Sequence, residues 1–571
     1  MTGYGSYVNS GPGDGANDSL SSETLPLHDA PNSYFHPLTR RSTSPAHRLQ
    51  RHNDIIRSSI RRRLSFITPP AAAVDSSVAR TTSLSSQSSF SRQQDEAHDV
   101  FQNAIRLALA AYEYGCVGYR IEAFLERLLL DHGYECSIMV TNVELIASVY
   151  SYRWRKKEKT RKTEKATGTK KIPATSNGEQ QDGEDNEQGK EQIEIFLPIT
   201  IAVPLRDGAN LFKLGELSVV CHNVKYKQCS QSQAMERLEE IDSLSPPYNM
   251  VTRWLAYVGT SIGFVAILGG SWIDLYTSIA GSSMTFGVVQ IFATFCTQDT
   301  VQRLHVTWQN FFAAFCPSLL AAMVSRISLF QSSINVITIT VSCVISEVPG
   351  FMLLKSISEL SRNRILAGFG HFIGALFISF WLGLGGWVGI ELVKIAFGPT
   401  TAIEHGDDAP PIKNIWLFLF GPILCASFAI FFNVGRQDLV PATFVGLVAL
   451  GMTLMIPLFP NAMFGNFLSA FATSVASHLW SYFAHPRVEY QPCSNGQSQQ
   501  PHKPESIFGL PAFFTLCCGS MGFLGFLGLL EGDSSTGTHA FEKMLAFTFI
   551  LVFGVYVGGT VFPTRAVLNA W

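Results

Sequence analysis

The chain divides into a polar half and an apolar half. From Trp254 onward, long apolar runs alternate with short polar loops, whereas most of the charge lies before residue 250. Ten runs reach the roughly 17 to 25 residues that cross a hydrocarbon core of roughly 30 Å. They lie near residues 254–272, 275–296, 307–325, 334–354, 366–390, 415–435, 439–457, 460–480, 507–530 and 541–562. The pattern predicts a polytopic α-helical membrane protein with about ten transmembrane helices.

Two polar regions precede the apolar runs. Residues 1–96 are rich in Ser and Arg and have few apolar clusters, which predicts a disordered cytosolic tail because little surface can be buried. Residues 97–250 mix helical and strand periodicities and predict a cytosolic α+β domain. A basic and then acidic stretch at 153–192 predicts a disordered insertion in that domain.

The local patterns of the α+β domain predict its elements. Helical spacing recurs around Phe101–Tyr112 and Ile121–Leu129, and a last helix is expected at Ser232–Ile241. Strands are expected at Glu135–Val140, Val143–Tyr150, Ile193–Val203 and Leu217–Val220.

The tail carries a basic cluster that ends in Arg61-Arg62-Arg63-Leu64-Ser65. Three interpretations stay open: phosphorylation of Ser65 by a basophilic kinase, attraction of the arginines to anionic lipid, and a solvated tail.

Charge in the short loops predicts the orientation of the spans. With the N-terminus inside, the cytoplasmic loops and tail hold eight basic residues and the opposite side holds four. The inside set is Arg303, Lys355, Arg362, Arg364, Arg436, Arg487, Lys503 and Arg565, and the outside set is Arg326, Lys394, Lys413 and Lys543. Both termini are therefore expected in the cytoplasm. Between Met1 and Asn53 no apolar stretch resembles a cleavable signal.

Composition excludes several classes of protein. Of 571 residues, 47% are hydrophobic and 15% charged, which is too apolar for a soluble chain of this length. No basic patch is interleaved with aromatic residues, so nucleic acid is not an expected partner. The eleven cysteines are scattered without metal-ligand spacing, and no dinucleotide or haem motif is present, so we expect no cofactor.

Two of the predicted spans are interrupted. The fourth contains Glu347 and then Pro349-Gly350, and the ninth contains Cys518-Gly519-Ser520-Met521-Gly522 after Pro511. The long polar loop at 398–414 separates five spans at 254–397 from five at 415–571, and an odd number of spans inverts the second half. Inverted halves with paired broken helices are the plan of many secondary transporters, whose sites lie near the breaks.

Glu347 directly precedes the first break, which leaves two interpretations. An ionisable group inside a span indicates proton coupling or binding of an amine, whereas a group near a helix end simply reaches interfacial water. His371, in the fifth predicted span, is expected to pack against a neighbouring helix.

Four groups of residues resemble the threonine/serine exporter family. Gly115, Arg120 and Glu122 are similar to the signature that opens its soluble domain. The first membrane half is matched by Gly269-Gly270-Ser271-Trp272 with Asp274, and by Val348-Pro349-Gly350 with Glu359-Leu360 and Gly368. Gly519-Ser520 with Gly522 resembles the turn of the second half, although Cys518 stands where proline is usual. The Ser-rich head is similar to the fungal branch, the pheromone-regulated membrane protein 10 type.

The resemblance implies a ten-span carrier that exports threonine, serine or a similar small polar solute, driven by protons. Its partners would then be the lipid bilayer, the solute and protons. Two other hypotheses stay open. One is a membrane scaffold that recruits partners through its tail, and the other is a hydrolase in residues 97–242. Against the hydrolase, Arg120 and Glu122 are two apart on a helix and cannot face one another.

Overall fold

The structure is a computed structural model. It describes residues 100–132, 134–141, 144–153, 194–195, 199–204, 208–295, 302–327, 334–398, 411–412, 414–483, 503–516 and 519–562. The predicted tail, almost all of the predicted insertion, Ser65 and Cys518 lie outside these residues. The chain divides into two compact units, Met1–Gln94 and Asp95–Trp571, and everything described belongs to the second.

The first part of this unit, residues 100–243, combines helices and strands, and we call it the α+β segment. Its helices are α1 (100–113), α2 (Gly118–Asp131), α3 (Leu211–Lys225) and α4 (Gln231–Ser243). Its strands are β1 (Tyr134–Val140), β2 (Glu144–Arg153), β3 (Glu194–Ile195) and β4 (Ile199–Pro204). Strand β2 pairs antiparallel with each of the other three, so that Ser148 lies opposite both Ser137 and Thr200.

The predicted strand at Leu217–Val220 is wrong, because these residues belong to helix α3. The helix begins after Asn210, whose side chain accepts a hydrogen bond from the Lys213 N–H. Leu217, Val219, Val220 and Cys221 are all buried, so α3 is covered on several faces. A helix buried in this way has the same continuous apolar pattern as a buried strand, and periodicity does not separate the two.

The rest of the chain is a bundle of long apolar helices. They are α5 (Met250–Ile267), α6 (Trp272–Phe295), α7 (Gln302–Val324), α8 (Val336–Val344), α9 (Gly350–Ser361), α10 (Ile365–Phe397), α11 (Leu417–Phe431), α12 (Leu439–Leu454), α13 (Ala462–Phe483), α14 (Ser506–Thr515), α15 (Gly519–Leu530) and α16 (Ser534–Val561). Among the described residues, five helical stretches are long and apolar enough to cross a membrane. These are Met250–Ile267, Ile365–Phe397, Leu439–Leu458, Ser506–Leu530 and Ser534–Val561.

Large apolar side chains on the outside of the bundle are widely exposed. Phe418 is 86% exposed, Ile395 81% and Val440 77%. Such a surface is costly in water and favourable in lipid. The outer surface therefore supports a membrane protein independently of the sequence pattern.

The helix contacts repeat between the two halves of the bundle. In the first half the neighbouring pairs are α5–α6, α6–α7, α7–α10, α6–α8, α7–α8, α5–α8 and α9–α10. In the second half they are α11–α12, α12–α13, α13–α16, α12–α14, α13–α14, α11–α14 and α15–α16, in the same order. Across the halves α10 contacts α15 and α16 contacts α9, while α5 meets α11 and α9 meets α15. When α5 to α10 are matched in order to α11 to α16, each of these contacts corresponds to another in the set.

Candidate functional site

The two predicted helix breaks are in contact. Residues 345–349 separate α8 from α9, and Pro349 stands at the N-terminus of α9 without a side-chain cap. Gly519 begins α15 and lies so close that an added Cβ would be 2.4 Å from Val348 Cγ1 and 3.3 Å from Gly350 Cα. Glycine allows this approach, because a Cβ here would collide with the Val348 side chain and sit tightly against the Gly350 backbone.

Gly522, one turn further along α15, allows a second close contact. A Cβ at this position would lie 2.9 Å from Met544 Sδ on α16 and 3.0 Å from Ser379 Oγ on α10. Ser520 lies between the two glycines in the first turn of the same helix. These glycines therefore hold α15 against the elements around the break.

Glu347 lies within the first break and is hydrogen-bonded through both carboxylate oxygens. The Tyr257 hydroxyl of α5 donates to Oε1 at 2.7 Å, and the Gln309 amide of α7 donates to Oε2 at 3.5 Å. The Tyr257 ring in turn packs edge-on against Phe286 and Phe431. Glu347 thus joins α5 and α7 to the break, in a half-buried position.

Tyr257→Phe should destabilise the protein by about 1–3 kcal/mol, because it removes the donor to a partly buried carboxylate and keeps the ring packing. Thermal unfolding in detergent measures this loss. Tyr276→Phe is the matched control, since Tyr276 is 66% exposed and should change stability little. Equal stability of the two variants would contradict a role for the Tyr257–Glu347 bond.

Beyond the break, Glu359 on α9 completes the N-terminus of helix α2. The N-cap residue of α2, Val117, offers no side-chain acceptor. The Glu359 carboxylate accepts instead from the backbone N–H groups of Gly118 and Tyr119, the latter at 3.4 Å. A carboxylate at this end is favoured by the orphan amides and by the helix dipole. The α+β segment is thereby tied to the helix that follows the break.

Glu122 on α2 forms a second tie in the same place. One of its oxygens accepts from the Val140 N–H at 2.6 Å, and the other binds the guanidinium of Arg364, which precedes α10. Arg364 Nε also lies 3.9 Å from Glu359 Oε2. Burial raises the pKa of Glu122, and the hydrogen bonds from Arg364 and Val140 oppose that rise. We call Glu122, Glu359 and Arg364 the clamp.

Aromatic rings and cations continue this contact surface. The Arg362 guanidinium lies 3.8 Å from the centroid of the Tyr119 ring and 5.4 Å from that of the Tyr556 ring on α16. Arg362 Nε also donates to the Tyr556 hydroxyl at 3.3 Å. The buried ammonium of Lys355 lies 4.6 Å from the Tyr112 ring centroid. Cations placed over aromatic rings in this way help to hold the α+β segment against the helices.

A cavity of about 200 Å³ opens where these elements meet. A single water needs ~10–15 Å³ on the same measure, so the cavity has room for a small solute. The polar lining residues of this cavity are Tyr119, Arg120, Lys355, Ser358, Arg362, His478, Glu505, Tyr556 and Thr560, and the apolar ones include Phe351, Leu354, Leu510 and Phe513. Phe351 directly follows Gly350, so the cavity begins at the first break. It offers both positive and negative groups to a small polar solute.

Glu505 and His478 stand together in this lining. Glu505 precedes α14 and is 1% exposed, and its Oε1 lies 3.9 Å from Nδ1 of His478 on α13, which is 7% exposed in its side chain. Sequence reasoning placed His478 in a predicted span but missed Glu505, because one acid at the start of an apolar run has no distinguishing pattern. Tyr119 and Tyr556 were missed as well, because a single tyrosine in a helical pattern carries no signal of its own.

The Gly269-Gly270-Ser271-Trp272 turn with Asp274 has a different role. Asp274 is buried, and its carboxylate accepts from the Ser271 N–H at 2.8 Å and from the Asn335 N–H at 2.9 Å. Gly269 has a φ of +76°, a conformation that favours glycine. Trp272 packs edge-on against Trp416. This turn therefore joins the start of α6 to the start of α8 and to the second half.

Two further predicted glycines support the clamp. Gly115 has a φ of +102° in the turn before α2, where a Cβ would lie 3.1 Å from the Gly208 carbonyl oxygen. Gly368 on α10 faces α9, since a Cβ there would lie 2.8 Å from the Ser356 carbonyl oxygen. His371 contacts the α+β segment through a 3.3 Å hydrogen bond between its Nε2 and the Tyr112 hydroxyl.

The two residues of the hydrolase hypothesis are not brought together in the structure. Arg120 bonds the Tyr119 hydroxyl and lines the cavity, whereas Glu122 belongs to the clamp, so the two side chains act at different places. Within the described residues, no group of three or more His, Cys, Asp or Glu side chains could hold a metal ion.

The apolar helices and the apolar outer surface define an integral membrane protein. Comparison with known proteins agrees. Residues 197–393 match the family model described as "Putative threonine/serine exporter", which confirms the resemblance drawn from the motifs. This match begins between β3 and β4 of the α+β segment and runs through most of α10.

A curated relative, "Pheromone-regulated membrane protein 10" of Pichia sorbitophila, is 22% identical over 294 residues. The alignment covers 49% of this chain and 28% of the relative, so it spans less than a third of the relative's length. No solved structure matches the chain.

Proposed function

We propose that the protein is a secondary transporter that exports threonine, serine or a similar small polar solute, coupled to protons. In this proposal ten spans form two inverted halves, and both termini lie in the cytoplasm. The cavity is the inner binding site, and the α+β segment covers it from the cytosol. The family match supports an exporter, and the repeated helix contacts support two related halves.

One observation carries the proposal: the cavity begins at the first helix break, against which Gly519 at the start of α15 packs. Broken helices expose backbone amides and carbonyls, and these are tolerated in a membrane only where they face protein or a water-filled space. In this proposal Pro349, Gly350, Gly519 and Gly522 shape the pathway. Residues of an unbroken span have their backbone groups hydrogen-bonded within the helix and need no such packing.

Charge in the lining indicates the kind of solute. Arg120, Lys355 and Arg362 supply positive charge, and Glu505 supplies a carboxylate. A solute with a carboxylate and an ammonium group finds an opposite charge for each end. We propose that Ser358 and Thr560 offer hydroxyl groups to the polar side chain of such a solute.

Filling the cavity should stop transport. Gly559→Leu places a side chain in the lining near His478, where a Cβ has only ordinary contacts, the nearest at 3.5 Å. Serine flux driven by a proton gradient into liposomes should fall at least tenfold, with little loss of stability. Radiolabelled serine uptake measures the flux, and thermal unfolding measures the stability.

Gly451→Leu is the matched control, because a Cβ at Gly451 meets nothing within 4 Å and this residue is not part of the described lining. It should transport at the wild-type rate. Normal flux in Gly559→Leu would place the pathway elsewhere. If the wild-type protein moved neither serine nor threonine, the exporter proposal would fail, and the scaffold hypothesis would be the next to test.

A further inference from the structure

The described lining of the cavity contains one carboxylate, that of Glu505, beside His478. The two side chains come from α14 and α13 and are almost fully buried, with 3.9 Å between Oε1 and Nδ1. A proton on either residue would be stabilised by the other. The pair also faces the space in which a solute would bind.

The other described residues that line the cavity beside this pair are positive or neutral. Arg120 of α2 is close enough to interact electrostatically with both Glu505 and His478. Helix α9 contributes Lys355, Arg362 directly follows that helix, and α16 contributes the hydroxyl groups of Tyr556 and Thr560. Lys503 precedes Glu505 by two residues, but its ammonium binds both oxygens of Asp438 at 2.8 and 2.7 Å.

This charge balance limits what the cavity can hold. Three cationic side chains already face the space, so an additional positive charge is favourable only beside Glu505. An additional charge can arrive as a proton on His478 or as the ammonium group of a solute. Both need the same carboxylate.

We propose that Glu505 and His478 form the proton site of the carrier, and that a proton and the positive group of the solute exclude each other there. This inference rests on the proposed transport function. When His478 Nδ1 takes a proton from water, the imidazolium pairs with the Glu505 carboxylate and displaces the ammonium group of the solute. When the proton returns to water, the carboxylate can pair with the ammonium group of the solute instead. Mutual exclusion at one site makes the carrier an exchanger of protons for solute.

This assignment differs from the sequence expectation for Glu347. Both oxygens of Glu347 accept hydrogen bonds from Tyr257 and Gln309, and this residue is not part of the described lining of the cavity. Its geometry supports the break, whereas that of Glu505 and His478 faces the solute space.

The test uses the full-length protein in liposomes with an internal pH dye and labelled L-serine. The variants are His478→Gln and Glu505→Gln, which keep the size and polarity of each side chain. Exchange of serine for serine without a gradient reports folding and binding, and proton movement during net serine flux reports coupling. Glu542→Gln is the matched control, because Glu542 forms a similar pair with His539 at 3.6 Å on an exposed surface.

His478→Gln should abolish the pH dependence of serine exchange between about pH 5 and 8 and move at least tenfold fewer protons per serine. Glu505→Gln should show the same loss together with a raised KM for serine. The control should match wild type in every respect. If Glu505→Gln shows no exchange at all, the proton-to-serine ratio of His478→Gln decides whether the pair is the proton site.

A wild-type pH profile and proton-to-serine ratio in His478→Gln would overturn the inference. So would serine flux without proton movement in wild type, which would leave the transport proposal standing. Absence of any serine flux in wild type would overturn the proposed function itself. The two failures are therefore distinguishable.

Discussion

Gly519→Ala should reduce transport on the order of tenfold, although it adds only one methyl group. The new Cβ would lie 2.4 Å from Val348 Cγ1, a separation that real Cβ atoms do not adopt, so α15 or the break at residues 345–349 must shift. Overpacking of this kind costs about 1–3 kcal/mol. Because the two breaks meet here, we expect the cost to fall on the arrangement that forms the cavity. Labelled serine uptake into liposomes measures the effect.

A second substitution tests whether steric contact is the cause. Val348→Ala removes the methyl groups that the new Cβ would meet, so the double variant should recover most of the lost flux. Gly287→Ala is the control, because a Cβ at Gly287 meets nothing within 4 Å. Failure of Val348→Ala to rescue Gly519→Ala would show that the glycine acts in another way, such as through its flexibility.

The contact between the breaks shows what the sequence could predict. Pro349-Gly350 and Gly519 stood out because both residue types are unfavourable inside an ordinary helix. The pattern marked both places along the chain, and in the structure Gly519 lies against Gly350. Which atoms are in contact depends on how the helices pack, and the sequence pattern does not specify that packing.

The clamp shows where sequence reasoning stopped. Glu122, Glu359 and Gly368 were chosen by family resemblance, with no chemical role derived for them. In the structure Glu359 caps α2 and Glu122 binds Arg364 across 242 positions of the chain. Such pairs join residues with no local relation, so no spacing rule finds them. Asp274 is a similar case, since its partner Asn335 lies 61 positions away.

The same limit explains the error at Leu217–Val220 and the omission of Glu505. Apolar runs report burial, and burial alone does not distinguish a strand from a helix covered on several faces. A single acid near the start of an apolar run reads as a loop residue until its neighbours are known. Charged residues are common at the ends of membrane helices, so Glu505 alone does not indicate a site. Its place beside His478 in the cavity lining does.

Loss of the clamp is expected to have the largest effect on stability. Arg364→Met keeps the length of the side chain and removes its charge, which leaves the nearly buried carboxylates of Glu122 and Glu359 without their cation. Because Arg364 itself is 26% exposed, we discount the 3–5 kcal/mol typical of broken buried pairs and expect a loss of about 2–3 kcal/mol. Unfolding in detergent measures the loss, and faster limited proteolysis would show release of the α+β segment.

Two further variants separate the clamp from charge effects in general. Arg237→Met removes a cation that is 69% exposed and paired with Glu240 at 2.6 Å, and should cost less than about 0.5 kcal/mol. Glu122→Gln added to Arg364→Met should restore part of the stability, because an uncompensated buried charge costs more than a neutral amide. Wild-type stability in Arg364→Met would mean that the rings around Arg362 and Lys355 hold the α+β segment without the clamp. In that case the segment would stay in place over the cavity whatever the charge state of Glu122, and control of access would have to come from the helices themselves.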